Sequence, residues 1–172
     1  MSTLKTINVQ HPSSSTTNIV LNNTGGVAVP SLTVNSVPVL AGPAFGATDS
    51  ATTSTAGVTT KIVFDTELFD TDNAFDGSKF QPSVAGYYIV TARTANGVNT
   101  NAGQVAINIY KNGASVNVAS SVYYGATWGV APTISVILHF NGSTDYVEFY
   151  GVNNGNANLG FSYATAALVR AV

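Results

Sequence analysis

Two stretches of strict apolar and polar alternation, each ending at Asn-Gly, constrain this chain more than anything else in it. Val105, Ile107 and Ile109 alternate with Ala106, Asn108 and Tyr110, and the run stops at Lys111-Asn112-Gly113 before Val116 and Val118 resume. A period of two sends successive side chains to opposite faces of a strand, and Asn-Gly is the strongest short signal for a tight hairpin. Ile134, Val136, Leu138 and Phe140 then alternate with Ser135, Ile137 and His139, closing at Asn141-Gly142-Ser143. Val147 and Phe149 follow, alternating with Tyr146, Glu148 and Tyr150. Two antiparallel hairpins are therefore predicted. Capped helix-period patterns are missing, and short strands with turn signals at this spacing point to an all-β sandwich, jelly roll or barrel. A last strand, from about Phe161 to Val169, is almost continuously small and apolar. That character predicts a central strand buried on both sides.

Charge is scarce. Six Lys or Arg and eight Asp or Glu make 14 of 172 residues, or 8%, where about 25% is usual. Disorder does not explain this, because 45% of the residues are hydrophobic and such a chain can bury a core. Apolar runs such as Tyr87-Tyr88-Ile89-Val90 and Ala164 to Val169 fall far short of the roughly 20 residues a spanning helix requires. No membrane insertion is expected. The cations Lys5, Lys61, Lys79, Arg93, Lys111 and Arg170 are scattered, and the net charge is -2. No basic stripe exists to neutralise phosphates, so nucleic acid is not an expected partner. The absence of Cys removes disulfides and thiolate metal sites. A soluble chain this poor in charge is expected to cover part of its surface with copies of itself, since interface cores are depleted in charged residues.

Residues 1–43 differ from the rest. They are rich in Ser, Thr, Asn and Val, are punctuated by Pro12, Pro30, Pro38 and Pro43, and carry a single charge, Lys5. Their alternating pieces, Leu4 to Val9, Asn18 to Leu21 and Ser31 to Val34, are too short to bury a core alone. Turn signals stand at Thr24-Gly25-Gly26 and at Ala41-Gly42-Pro43, and the second marks the expected boundary. Residues 1–43 read as an extended attachment and oligomerisation segment, residues 44–172 as the folded body, and residues 48–59 as a polar loop within it. The opening Met1 to Gln10 has one Lys but no apolar stretch and no small-residue cleavage site, so it does not read as a secretory signal.

Residues 61–90 carry the strongest family signal. Phe64, five residues, Asp70, four residues, Phe75, then Phe80, five residues, Gly86, one residue, Tyr88 resembles the signature of the C1q-like domains of the C1q and tumour necrosis factor superfamily. Two departures are visible. The gap from Phe75 to Phe80 is shorter than that family's usual pattern, and Val90 stands where an aromatic is common. Downstream, Ile107 to Gly113, Ser143 to Tyr150 and Phe161 to Val169 resemble the family's Lys-Asn-Gly, Asp-x-Val and Phe-Ser strands. The resemblance implies a jelly-roll sandwich that forms a compact homotrimer. In physical terms Phe64, Phe75, Phe80 and Tyr88 are spaced to fill one core. Gly86 allows a close approach or an unusual torsion before a central strand.

Asn18 to Val27 resembles the leader of virion fibre and appendage proteins of marine and cyanobacterial bacteriophages. Together the two resemblances imply a non-enzymatic virion structural protein assembled in the host cytoplasm. The expected role is a trimeric tail fibre or fibre tip, joined to other virion proteins through residues 1–43 and presenting its head to a host surface glycan or protein. A capsid decoration or head fibre, or a bacterial C1q-like adhesin, is the alternative.

Chemistry-bearing clusters are few. Asp65, Glu67, Asp70, Asp72 and Asp76 fall within twelve positions, but Ala74 and Ser83 occupy places where an EF-hand needs ligands. They read as a solvated turn cluster, with calcium as the alternative that the C1q-like resemblance adds. His11 and His139 are far apart and no nucleophile elbow is present, so neither catalytic residues nor a cofactor is expected. Tyr87, Tyr123, Tyr124, Trp128, Tyr146 and Tyr150 form an aromatic set that suits either packing against a neighbouring subunit or gripping a ligand such as a sugar.

Overall fold

A computed structural model describes residues 8–9, 19–21, 27–28, 33–34, 37–38, 42–50, 52–53, 55–95, 103–123, 130–155, 159 and 161–172. The chain divides into two compact units, 1–41 and Gly42–Val172. In the first, β1 (Asn8–Val9), β2 (Ile19–Leu21) and β3 (Val27–Ala28) form one small antiparallel sheet, and β4 (Thr33–Val34) pairs with β5 (Val37–Pro38).

The second unit contains β6 (Ala44–Asp49), β7 (Thr60–Lys61), β8 (Thr66–Asp70), β9 (Lys79–Phe80), β10 (Ala85–Arg93), β11 (Gly103–Lys111), β12 (Ala114–Tyr123), β13 (Thr133–Asn141), β14 (Val147–Asn153) and β15 (Ser162–Ala171). One sheet runs β13-β10-β15-β6-β8, and the other runs β12-β11-β14-β7 with β9 also on β14. Every pairing between these strands is antiparallel. Of the two predicted hairpins only β11–β12 forms. β13 pairs with β10 and β14 with β11, so Asn141-Gly142-Ser143 is not a hairpin turn but carries the chain from one sheet to the other, where the same alternation fits either partner. Asn112 (φ 52°), Gly113 (φ 78°) and Gly142 (φ 72°) take the left-handed torsions that their turns require.

The core lies between the two sheets. Phe45, Tyr88, Val90, Phe140 and Ala164 from one sheet meet Ile107, Ile109, Val147 and Phe149 from the other, all fully buried. Phe45 is its centre: its ring stacks on Phe75 at 4.4 Å and Phe80 at 4.8 Å, and lies 6.1 Å from Phe149. Such contacts add to simple area burial because ring edges and faces carry opposite partial charge.

Two further sequence expectations need correction. The final strand begins at Ser162 rather than Phe161, whose side chain is 70% exposed. It is central, between β10 and β6, but Ser162 to Ala167 alternate between buried and half-buried, and Val169 and Arg170 are exposed, so the strand is not buried on both sides. Ala on both faces hides that alternation from a hydropathy reading. The polar loop expected from residue 48 begins later, because Thr48 and Asp49 complete β6 and Asp49 is buried.

The turns that follow β11 and β13 are clipped together. Asp145 accepts from Lys111 Nζ at 2.8 Å, Asn112 Nδ2 at 2.7 Å and the Asn141 backbone N–H at 3.1 Å. Asn112 also exchanges bonds with the Tyr146 backbone. The hydrogen bond from Lys111, then that from Asn112, holds the Asp145 carboxyl below the usual carboxylate range. A carboxyl depressed in the folded state stabilises the fold above its unfolded value, about 3.9, and that stability is lost as pH falls through the lower folded value. Melting temperature is therefore expected to drop as pH is lowered from 5 to 2. Asp145→Asn should melt lower at pH 7 and show a shallower acid decline, and superimposable pH profiles for the two proteins would refute this role.

Candidate functional site

The signature residues gather in the core. Phe64 packs edge-on against Phe75 at 5.8 Å and Phe149 at 5.7 Å, and Phe80 meets Tyr88 at 5.9 Å. The Tyr88 hydroxyl donates to the Val84 carbonyl at 2.8 Å. Burial, with the charge of Asp72 nearby, pushes its phenol up to about 12. Asp70 accepts from the Phe75 backbone N–H at 2.7 Å and so fixes the turn that delivers Phe75 to Phe45. Gly86 is a close approach: its backbone lies against Arg170 and Ala171 of β15. These residues build the fold and offer no chemistry.

The acidic run is spread along β8, which holds Glu67 and Asp70, and over the turns on either side of it. Asp65 accepts from Ser50, Asp72 from Ser83, and Asp76 from the Ser78 and Lys79 backbone. Among the described residues no three metal-ligating side chains come together. The aromatic set is divided as well. Tyr87 projects from β10 beside His139, with ring centroids 5.3 Å apart, whereas Tyr150 lies on β14 of the opposite sheet and Tyr146 immediately precedes that strand. There Tyr146 receives Lys79 over its ring, and Tyr150 lies 4.3 Å from Tyr110. Tyr123 ends β12, and His11, Tyr124 and Trp128 lie outside the described residues.

The outward face of the β13-β10-β15-β6-β8 sheet is where unassigned chemistry collects. Strand register aligns its side chains in rows across the sheet. One row runs His139, Tyr87 and Arg170, and the next Ile137, Ile89, Ala167 and Ala44. Ile137, Tyr87 and Ile89 are 61%, 44% and 43% exposed, an apolar half that solvent should not be left to cover. The rows beyond are hydroxylic: Ser135, Thr91 and Thr165, then Thr133, Arg93, Tyr163, Thr48 and Thr66. Thr91 and Ser135 share a 2.7 Å hydrogen bond.

This hydroxylic half forms a groove of about 710 Å³ over the strand ends, walled by Phe161 and bordered by Ser50 and Asp65. Asp65 is held below the usual carboxylate range, chiefly by the Ser50 backbone N–H and then by the Ser50 hydroxyl. Charge of opposite sign thus stands on the two sides, Arg93 on β10 and Asp65 ahead of β8.

The arrangement of two sheets can be set against solved structures. The globular domain of zebrafish complement 1qA aligns with a TM-score of 0.60 at 14% identity, over 76% of this chain and 99% of that one. The fold is a C1q/TNF-like jelly roll. Murine APRIL aligns at a TM-score of 0.53 and 9% identity, over 74% of this chain and 99% of that one. PRD1 vertex protein P5 aligns at 0.56 and 18%, over 76% and 99%. No protein-family model matches the sequence, and no curated protein does. Within this jelly roll the groove residues Thr91, Arg93, Thr133, Phe161 and Tyr163 escaped the sequence reading. Alternation places Thr91 and Arg93 on the face opposite Val90, but their neighbours come from β13 and β15, which no local pattern reveals.

Proposed function

We propose that this chain is a structural protein of a bacteriophage virion, a homotrimeric tail fibre or fibre tip without enzymatic activity, whose jelly-roll head engages the host surface. The observation that carries the reading is the likeness to PRD1 vertex protein P5 along 99% of that chain. The word vertex also favours a second reading, a spike on the capsid. Residues 1–43 supply attachment to the particle in either case. The apolar half of the β13-β10-β15 face supports assembly, because three copies meeting there would remove Ile137, Ile89 and Tyr87 from water.

Light scattering on the full chain tests the assembly. A species of three times the 17.7 kDa chain mass is expected, and Ile137→Asp, harmless to a folded single chain, should convert it to the mass of one copy at micromolar concentration. A wild-type monomer, or a variant that keeps the full mass, overturns the trimer. Gold-labelled antibody on particles separates tail from vertex, and failure of the purified chain to bind host cells overturns host recognition.

A further inference from the structure

We infer that the groove over Thr91, Arg93, Thr133 and Tyr163 is a binding site for an acidic saccharide, with a sugar carboxylate on Arg93. The inference rests on the host-recognition reading, because it names the ligand of the same head, and it requires the groove to stay open in the assembled protein. Four observations point there. The volume, about 710 Å³, falls in the range of small-ligand clefts, which is roughly 300–1,000 Å³. Its floor carries hydroxyl groups at the spacing of adjacent strands, able both to donate to and accept from sugar hydroxyls. Phe161, exposed at the rim, and Tyr163, half-buried on the floor, supply ring faces for the apolar side of a pyranose.

The fourth observation is the guanidinium. Lys61, Lys79 and Lys111 each have a carboxylate partner, at 2.6, 4.0 and 2.8 Å. Arg93 and Arg170 have none among the described residues, and of the two only Arg93 lines the groove. Its planar fork matches a carboxylate with two parallel hydrogen bonds. Asp65, across the groove, accepts hydroxyl protons. It and the buried Asp49, which also lines the groove and accepts from the Thr52 backbone N–H, repel anions, so that only a ligand with isolated negative charge placed on Arg93 suits the site, not a polyphosphate or nucleic acid.

The test is calorimetric titration of the assembled full chain with tetragalacturonate, a hyaluronan tetrasaccharide and 3′-sialyllactose, with maltotetraose as the neutral control. At least one acidic sugar is expected to bind at least tenfold more tightly than maltotetraose. Arg93→Ala should weaken that binding at least tenfold, with solution mass and melting temperature unchanged, and Arg93→Lys should restore part of it. Binding by none of the acidic sugars, equal binding of acidic and neutral sugars, or undiminished binding by Arg93→Ala overturns the site. Dissociation of the assembly by Arg93→Ala would show the groove to be a contact between copies and overturn it too. Host-cell binding is scored separately. If the chain binds cells but no acidic sugar, the groove assignment falls and recognition stands; if it binds an acidic sugar but no cells, recognition falls and the groove stands.

Discussion

Phe45→Ala is expected to cost about 3–5 kcal/mol, the range for deleting a large aromatic from a close-packed core. The ring is fully buried and touches Phe75, Phe80 and Phe149, which come from three separate segments. Its loss leaves a void that residues anchored in different strands cannot collapse to fill, so both the apolar transfer and the stacking contacts are forfeited. Urea unfolding of wild type and variant measures the difference. A loss below about 1 kcal/mol, the scale of an ordinary surface or partly collapsed site, would mean that Phe45 does not hold the centre.

Gly86→Val should be of comparable severity, about 3 kcal/mol or more, because the added atoms meet backbone that cannot yield. A Cβ there would fall on the Arg170 carbonyl oxygen and 3.1 Å from the Ala171 Cα. Both belong to β15 beside the bulge where Tyr87 pairs with Arg170 and Tyr88 with Leu168. Val90→Phe, which brings in the residue commoner among C1q-like domains, is expected to cost less, about 1–3 kcal/mol, since Val90 is fully buried and the extra volume must be absorbed by side chains. Equal shifts in melting temperature would contradict the difference between backbone and side-chain obstruction.

What the chain reveals before folding follows from how local each signal is. The β11–β12 hairpin is written in alternation and in Asn112-Gly113; the turn at Asn141-Gly142 is equally plain, but the sheet that β14 joins is not, because its partner β11 lies about forty residues away. β6 is not, because Ala44, Gly46 and Ala47 give no hydropathy rhythm and its one large residue, Phe45, has partners up to 104 positions away. The face of the candidate groove is further still from local pattern. Thr66, Thr48, Tyr163, Arg93 and Thr133 become one row only through four strand pairings. The aromatic residues, by contrast, are conspicuous in the sequence yet fall on opposite sheets, since alternation specifies a face of a strand but not which sheet the strand joins.

The position of β15 has a consequence for biosynthesis. It follows every other described strand in the chain, yet it sits between β10 and β6 in the middle of its sheet. Until it emerges from the ribosome, those two strands present unpaired edges toward each other, and neither half of the sheet has its neighbour. Folding of the head is thus withheld until translation has passed residue 171, and a prematurely terminated chain lacks the middle of the structure rather than its margin. A product cut short before β15 is therefore left with an open sheet rather than a trimmed one.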